Sequence, residues 1–353
     1  MSEELNIATR RTRISQYDFR EFAPHIHFGT ASDRYAGWIG QIYPETLRSE
    51  IQNRSKRLGG KTYTERLVPV ASVRHYFRHF DVLELDFPFY RPLLSSEGDP
   101  SPSFFVLEQY AEHAPPAARF IVKAPQTFFA RKLRRRSTGG APAYIENPDF
   151  LNAAAYRQQF HEPALAILGD RLTGILFEQE YQKVSESPSP GDNVAELEAF
   201  FGKWPGRVQA HIELRSEHLL TPLYFDWLAE RGIGFVFSHW TWLPPIRRQW
   251  ELCGGRFTAR NGEAVIRLLT PLNVRYADAY ANSFPFERAK PSISESDMGK
   301  RMVLDTTALA FQAGAQKALL NIICNNRAWG NAPMLAQTIA ERILREEQRR
   351  KQT

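Results

Sequence analysis

The sequence contains little cysteine and no long apolar run. Only Cys253 and Cys324 occur in 353 residues, and neither lies in a CxxC or Cys/His spacing. Two cysteines cannot form a disulfide framework, and their surroundings argue against a structural zinc site. No run approaches the length of a membrane span, and the N-terminal residues lack the apolar stretch of a signal peptide. We therefore expect a cytoplasmic protein with no membrane partner.

Several motifs of known chemistry are also missing. The chain has no Gly-rich phosphate loop, no GxSxG elbow and no HExxH spacing. No motif therefore requires a cofactor, and a cofactor cannot be assigned. The 45 Lys and Arg residues outnumber the 39 Asp and Glu residues, for a net charge of +6. An excess this small favours anionic partners only weakly.

Eight short apolar runs are present, and most of them end at a charged or amide side chain. Near-continuous apolar strands separated by helix-length segments indicate a parallel sheet covered on both faces. Eight strands close a (β/α)₈ barrel, in which the C-terminal strand ends carry the chemistry. The runs are His25–Thr30, Phe80–Asp86, Arg119–Ala124, Leu172–Gln179, Gln209–Arg215, Gly234–His239, Ala264–Leu269 and Lys317–Asn326.

The predicted organisation is a single TIM-barrel-like domain over residues 25–345 with inserted loops. Residues 1–24 are polar and are predicted to form an N-terminal arm, and residues 346–353 a charged C-terminal tail. No linker long enough to separate a second domain is present.

Two predictions concern the segments between strands. The basic segment Arg48–Lys61 is predicted to be an insertion, followed by a helix from about Thr64 to His79, where apolar residues recur near helical spacing. After the seventh strand, a long loop is predicted through Tyr276 and Phe284.

Several short motifs together resemble the YecE-like proteins, also called domain of unknown function 72. They are Phe28-Gly-Thr-Ala-Ser32 with Gly37-Trp38 and Tyr43-Pro44, Arg78-His-Phe-Asp-Val-Leu-Glu84 with Phe89-Tyr90-Arg91, Phe120-Ile-Val-Lys123, Ile212-Glu213-Leu-Arg215, and Asn325-Asn326 with Gly330-Asn331-Ala332-Pro333. The resemblance spans roughly residues 25 to 345. It implies a TIM-barrel-like fold and no established biochemical activity.

The chain departs from the family pattern in two places. After the fourth strand it reads Phe177-Glu-Gln-Glu-Tyr181, where members tend to have Phe-Gln-Leu-Pro-Pro. After the seventh it reads Arg267-Leu-Leu-Thr270 instead of Arg-Leu-His-Gly. The chain is therefore similar to a divergent member.

Charged residues collect at the predicted C-terminal strand ends. In the functional interpretation, Lys123, Arg215 and Arg267 hold an anionic group, while Glu84 and Glu213 act as acid and base. In the structural alternative, the same residues form an ion-pair ring that closes the top of the barrel.

Other strand-end and loop residues extend the candidate site. Asn325 and Asn326 precede a helix N-terminus that could favour a phosphate, although both could equally be tight-turn residues. Trp38 and Tyr90 are candidates for stacking on a substrate ring, or they cap the core. His239 also lies at a strand end. One His with carboxylates could bind Mg²⁺ or Mn²⁺, but no ligand spacing supports a metal, and none is assigned.

Three functions remain open from these residues. The preferred hypothesis is an enzyme that acts on a small phosphate-bearing or otherwise anionic substrate at the barrel mouth. The first alternative is a non-catalytic module that binds nucleic acid or another anion through Arg131 to Arg136, which holds five Lys or Arg in six positions. A metal-dependent phosphodiesterase is the third. A glycosidase is disfavoured because the seventh strand offers Arg267, not the carboxylate that would partner Glu178.

Overall fold

A computed structural model describes residues 7–135, 143–204 and 206–352, and within this part of the chain it contains twelve strands. They are β1 (Ile26–Ala31), β2 (Gln52–Leu58), β3 (Lys61–Leu67), β4 (Val82–Leu85), β5 (Arg119–Lys123), β6 (Lys132–Arg135), β7 (Ala143–Glu146), β8 (Leu172–Gln179), β9 (Gln209–Leu214), β10 (Gly234–His239), β11 (Glu263–Leu268) and β12 (Leu319–Cys324).

Eight of these strands form a closed, all-parallel barrel. Its order is β1-β4-β5-β8-β9-β10-β11-β12, and β12 pairs back onto β1. Each barrel strand therefore neighbours the next one along the chain, as a (β/α)₈ barrel requires. The predicted fold class is confirmed. The remaining strands form two antiparallel hairpins, β2-β3 and β6-β7.

The helices surround the barrel, and none of those described is long and apolar enough to cross a membrane. They are α1 (Ile7–Ser15), α2 (Val73–Tyr76), α3 (Pro102–His113), α4 (Gln126–Phe129), α5 (Ala153–Tyr156), α6 (Glu162–Leu168), α7 (Pro190–Phe201), α8 (Pro222–Arg231), α9 (Ile246–Leu252), α10 (Tyr276–Ser283), α11 (Pro291–Ser294), α12 (Asp297–Gln316) and α13 (Ala332–Gln352).

Two separate apolar clusters hold the fold together. The larger lies between the barrel and the helices and includes Phe28, Phe120 and Phe177, all fully buried. The smaller fills the barrel interior. Because successive side chains on a strand point to opposite faces, each barrel strand can supply both clusters. The interior cluster consists of Ala31, Val82, Ile121, Leu176, Val236, Val265 and Ile323.

The predicted helix from about Thr64 to His79 is wrong. Residues up to Leu67 belong to the β2-β3 hairpin, and only Val73–Tyr76 is α-helical. The hairpin reverses at Gly59 and Gly60, both at positive φ, which suits a tight turn between antiparallel strands. The predicted insertion at Arg48–Lys61 therefore supplies the first strand of this hairpin.

The long loop predicted after the seventh strand is also wrong in part. Helix α10 begins at Tyr276, and it packs against the hairpin through Tyr280. The Tyr280 hydroxyl donates to Glu65 Oε1 at 2.7 Å, and the Tyr63 ring lies 4.9 Å from that of Tyr280. These contacts between distant segments stabilise a helix that the local pattern does not indicate.

The two termini lie against each other. Helix α1, within the predicted arm, packs on α13, and Arg10 pairs with Glu347 at 2.7 Å. Helix α13 continues through the charged residues at the C-terminus as far as Gln352.

Gly29 lies where two barrel strands, β1 and β4, approach each other closely. A Cβ atom there would lie 2.2 Å from the carbonyl oxygen of Val82 on β4. We expect Gly29→Ala to lower the free energy of unfolding by about 1–3 kcal/mol, because the clash involves backbone that cannot rotate away. Urea unfolding measures this change in the free energy of unfolding. Gly191→Ala is the matched control, since its Cβ would meet no atom closer than 3.9 Å. Equal stability of the two variants would contradict the prediction.

Candidate functional site

A charged layer lies directly above the apolar cluster inside the barrel. Each of its members follows, by two positions, a residue that faces the barrel interior, and so it points to the same side of its strand. The pairs are Val82 and Glu84, Ile121 and Lys123, Leu176 and Glu178, His211 and Glu213, and Val265 and Arg267. All five charged side chains are buried. The strand period therefore brings residues from five strands together.

Arg267 is the centre of this layer. Its guanidinium binds the Glu84 carboxylate through two nitrogens, at 2.6 and 2.8 Å, and also contacts Glu213 and Glu178. The Arg267 side chain is 3% exposed, while those of Glu84 and Glu213 are fully buried. Such a two-pronged pair fixes the orientation of the arginine.

Lys123 and Arg215 complete the cluster around Glu178. Lys123 Nζ lies 2.5 Å from Glu178 Oε2, and Arg215 Nη2 lies 2.7 Å from the same oxygen. Arg215 Nε also approaches Glu213 Oε1 at 3.2 Å. Three cations and three carboxylates therefore compensate one another, which is how buried charges are tolerated. The arrangement matches the ion-pair ring of the structural alternative.

Burial and charge compete in setting the protonation of these groups. Burial opposes ionisation of Glu178, but Arg215, Lys123 and Arg267 outweigh it and lower the pKa of Glu178 to about 2. The pKa of Glu213 is also lowered, because Arg267 and Arg215 overcome its burial. For Glu84 burial dominates and raises the pKa despite Arg267. Burial lowers the pKa of Lys123, against the attraction of Glu178.

A pocket with a volume of about 140 Å³ opens above the cluster. Four cationic residues line it, and two acidic residues, Asp86 and Glu178, share the wall. Its volume is small beside the roughly 300–1,000 Å³ of pockets that enclose drug-sized ligands, so it suits a small anionic group. The cations are Lys123, Arg215, Arg267 and Arg327.

Aromatic rings cover three of these cations. Lys123 Nζ lies 3.5 Å from the centroid of the Phe89 ring, and the Arg215 guanidinium lies 4.5 Å from that of Trp240. The Arg327 guanidinium lies 4.7 Å from the Tyr276 ring. Cation–π contacts of this kind hold the charged groups in place and shield them from water on one side.

Arg327 differs from the other three cations. Within the described residues its guanidinium forms no ion pair, and its buried Nε has no hydrogen-bond partner. Asp86 is near enough to act on it electrostatically without pairing with it. An arginine left with unused donors at the wall of a pocket is a receptor for an anion.

The structure places half of the predicted site residues on the pocket wall. These are Tyr90, Lys123, Arg215, Arg267 and Asn325. Glu84 and Glu213 are fully buried and do not line the pocket; Glu84 contacts the pocket cation Arg267, and Glu213 contacts both Arg267 and Arg215.

Trp38, Asn326 and His239 are not on the pocket wall. Trp38 is fully buried, and its indole donates to Asn326 Oδ1 at 3.1 Å. The same oxygen accepts from the Ala332 amide at 2.8 Å, at the start of α13. His239 Nδ1 contacts the Thr270 carbonyl at 2.7 Å, and burial lowers the pKa of His239 to about 4.

The contacts in the last loop favour the interpretation of Asn325 and Asn326 as tight-turn residues over their interpretation as part of a phosphate site. Asn325 Oδ1 accepts from the Arg327 amide at 3.0 Å, and Asn331 Oδ1 accepts from the Met334 amide at 2.9 Å. Together with Asn326, Asn331 thus occupies N–H groups of the first turn of α13, which a bound phosphate would otherwise use.

Several residues on the pocket wall were not among the predicted site residues, and three of them bear on the chemistry of the site. Arg327 directly follows Asn325 and Asn326, so its position in the last loop was the available signal. Asp86 lies two residues beyond Glu84, on the same face of the chain. Tyr276 carries no local signal, because its place depends on α10.

No group of three or more His, Cys, Asp or Glu side chains comes together to hold a metal ion in the described ranges. The clustered carboxylates are engaged by cations instead, as described above for Arg267. These clustered carboxylates, within the described part of the chain, do not fit a divalent-metal site.

The basic run lies partly on a hairpin. Arg131 pairs with Glu196, and Lys132 Nζ lies 3.2 Å from Glu186. Lys132 to Arg135 form β6, and Arg136 lies outside the described residues. Two of the five basic residues are thus already paired with acids of this chain.

A family model described as "Protein of unknown function DUF72" matches residues 52–353. The chain belongs to the DUF72 family. The resemblance seen in the sequence motifs is thereby confirmed. A search of curated proteins finds no match.

Two solved DUF72 structures are similar to this chain. The protein TM1631 from Thermotoga maritima is 16% identical with a TM-score of 0.53, over 91% of this chain and 99% of that one. The protein EF0366 from Enterococcus faecalis is 16% identical with a TM-score of 0.52, over 90% and 95%. At this identity the likeness shows a shared fold.

Proposed function

We propose that this DUF72 protein is an enzyme acting on a small phosphate-bearing or other anionic substrate at the C-terminal mouth of the barrel. The observation that supports it most directly is Arg327. Lys123, Arg215 and Arg267 each have an acidic partner at 4 Å or less, whereas no described acid pairs with Arg327. A phosphate oxygen would satisfy donors that the protein leaves unused.

The pocket favours a small anion for a second reason. Its cations are held by aromatic rings and buried carboxylates, so little reorganisation is needed when a ligand enters. Preorganised charges in a recessed site stabilise an anion more than the same charges do in water.

The acid/base roles of Glu84 and Glu213 remain a prediction, and the position of the two carboxylates argues against those roles. Both carboxylates face Arg267 and do not line the pocket. We assign them to positioning Arg267. Asp86 does line the pocket, and one of its oxygens accepts from the Ser32 hydroxyl at 2.6 Å. A proton-transfer group must reach the reacting atoms, so Asp86 is the better placed carboxylate.

Arg327→Gln tests the proposal. We expect it to weaken the binding of inorganic phosphate by about tenfold or more, because a charge-assisted contact is lost. Isothermal titration calorimetry at low salt measures the affinity. Turnover of a panel of phosphate monoesters, followed by ³¹P NMR, tests the catalytic part.

Arg275→Gln is the matched control. Arg275 pairs with Asp278 at 3.0 Å, and its side chain is 76% exposed. The affinity of the Arg275→Gln variant for phosphate should remain within about twofold of that of the wild type. Failure of the wild-type protein to bind phosphate, or an unchanged affinity in Arg327→Gln, would refute anion binding at this pocket. Phosphate binding without turnover of any ester would leave a binding module.

Nucleic acid is the alternative partner. Its binding would depend on the basic run, so affinity for a single-stranded oligonucleotide should fall steeply with salt. Salt-insensitive or absent binding would remove this alternative.

A further inference from the structure

A second cavity of about 270 Å³ lies beside the first and shares Asp86 with it. It is enclosed by the turn after β1, the β2-β3 hairpin and helix α3. The residues that matter here are Ser32, Asp33, Arg54, Phe87, Ser103 and Tyr110. None of the functions considered above uses this space.

Asp33 contributes an unusual carboxyl group to the cavity wall. It is 1% exposed, and its Oδ1 accepts from the Tyr110 hydroxyl at 2.6 Å. Its Oδ2 is buried without any hydrogen-bond partner among the described residues. Burial raises the pKa of Asp33 to about 6. A buried carboxyl oxygen without a partner costs free energy, which a donor on a ligand would recover.

Ser32 lines the second cavity beside the shared residue Asp86. It has a φ of +67°, a backbone conformation that non-glycine residues rarely adopt. Its amide donates to the Glu84 carbonyl at 3.0 Å, and its hydroxyl donates to Asp86. The turn thus places the Ser32 hydroxyl against Asp86 on the shared wall, and backbone strain of this type concentrates at functional sites.

The walls of the second cavity offer acceptors, donors and a flat apolar face together. Asp33 and Asp86 carry acceptor oxygens, and Arg54 keeps Nη1 as a donor beyond the Nε and Nη2 that bind Glu65. The Phe87 and Tyr110 rings stack at 5.9 Å with 11° between their planes. Hydroxyl groups both donate and accept, and the carbon skeleton of a polyol packs on aromatic faces. A cavity wall with this combination suits a polyol better than a purely apolar or a purely cationic group.

We propose that the second cavity binds the hydroxyl-bearing part of a ligand whose phosphate occupies the first pocket. The substrate class is then a phosphorylated polyol, such as a sugar phosphate. This inference rests on the proposed function, since it needs the phosphate to bind beside Arg327. Asp86 lies on the wall that the two cavities share, where a hydroxyl group of the ligand would contact it.

Calorimetry with three probes tests the inference: inorganic phosphate, glucose 6-phosphate and glucose. Wild-type protein should bind glucose 6-phosphate about tenfold or more tightly than inorganic phosphate, and glucose alone weakly. Asp33→Asn should reduce that ratio to about one, with little change in phosphate affinity. Asp99→Asn, at an exposed position outside the cavity, should leave both affinities unchanged.

A second variant covers the case in which Asp33→Asn fails to fold. Ser103→Trp places a large ring in the cavity from the half-buried first turn of α3, and it should abolish the gain from the polyol while phosphate still binds. Wild-type protein that binds phosphate but gains nothing from the sugar would overturn this inference alone. Wild-type protein that binds neither phosphate nor sugar phosphate would overturn the proposed function as well.

Discussion

Replacing Arg267 by methionine is expected to lower the free energy of unfolding by about 3–5 kcal/mol. The change leaves Glu84 and Glu213 fully buried without the cation that contacts both of them. Glu84 loses most, because Arg267 is the only ion-pair partner the described residues provide for it. A buried carboxylate must then remain ionised at a large desolvation cost or take up a proton. Urea unfolding at neutral pH measures the effect.

Two controls separate charge from packing in this experiment. Arg248→Met breaks an exposed pair with Glu251 at 3.3 Å and should cost less than about 1 kcal/mol. Adding Glu84→Gln and Glu213→Gln to Arg267→Met should recover part of the lost stability, because the uncompensated charges are removed. If the triple variant were less stable than Arg267→Met, the loss would be due to packing and hydrogen bonding, and the electrostatic explanation would fail.

Replacing Glu178 by glutamine should change ligand affinity and stability in opposite directions. The change removes one of two acidic residues from the pocket wall and leaves Lys123 and Arg215 without their shared carboxylate oxygen. Affinity for inorganic phosphate should rise about tenfold at low salt, while stability falls by roughly 3 kcal/mol at pH 7. Calorimetry and urea unfolding measure the two effects.

The pH dependence of the same variant gives an independent check. Glu178 has a pKa of about 2 in the folded protein against 4.5 as the ordinary value. A carboxyl group with a lowered folded pKa contributes stability above its unfolded pKa and loses it as the pH falls through the folded value. The stability difference between wild type and Glu178→Gln should therefore be largest near neutral pH and shrink between about pH 4.5 and 2. Glu186→Gln, at an exposed residue, should show a much smaller change of the same sign, because solvent screens its pairs with Lys132 and Lys183. A difference that is constant with pH would contradict the assignment.

Most of the barrel was predictable from the sequence because its strands are local features. A strand such as Gly234–His239 is apolar on both faces, and no neighbouring segment is needed to recognise it. The β2-β3 hairpin and α10 are different. The side chains of the hairpin are mostly exposed, and its contact with α10 depends on a few residues such as Glu65 and Tyr280, so neither element shows a strong pattern by itself.

The position of the candidate site was predictable from the sequence, but the ion pairs within it were not. Strand ends in a parallel barrel meet at one face, so Lys123, Arg215 and Arg267 had to lie near one another. Which carboxylate binds which cation depends on distances across the barrel, between residues as far apart in the chain as Glu84 and Arg267. The same holds for Arg327, since only its surroundings in the structure show that no acid among the described residues pairs with it.

The sequence by itself determined that this protein is an eight-stranded barrel of the DUF72 type with charged residues at one end. It could do so because apolar periodicity, strand count and short motifs are properties of neighbouring residues. Only the tertiary structure decided that Glu84 and Glu213 pair with Arg267, that Trp38 and Asn326 are buried away from the pocket wall, and that Arg327 faces the pocket without an acidic partner among the described residues. Those outcomes depend on charge compensation among segments that fold together from distant parts of the chain, and such compensation is set by three-dimensional distance.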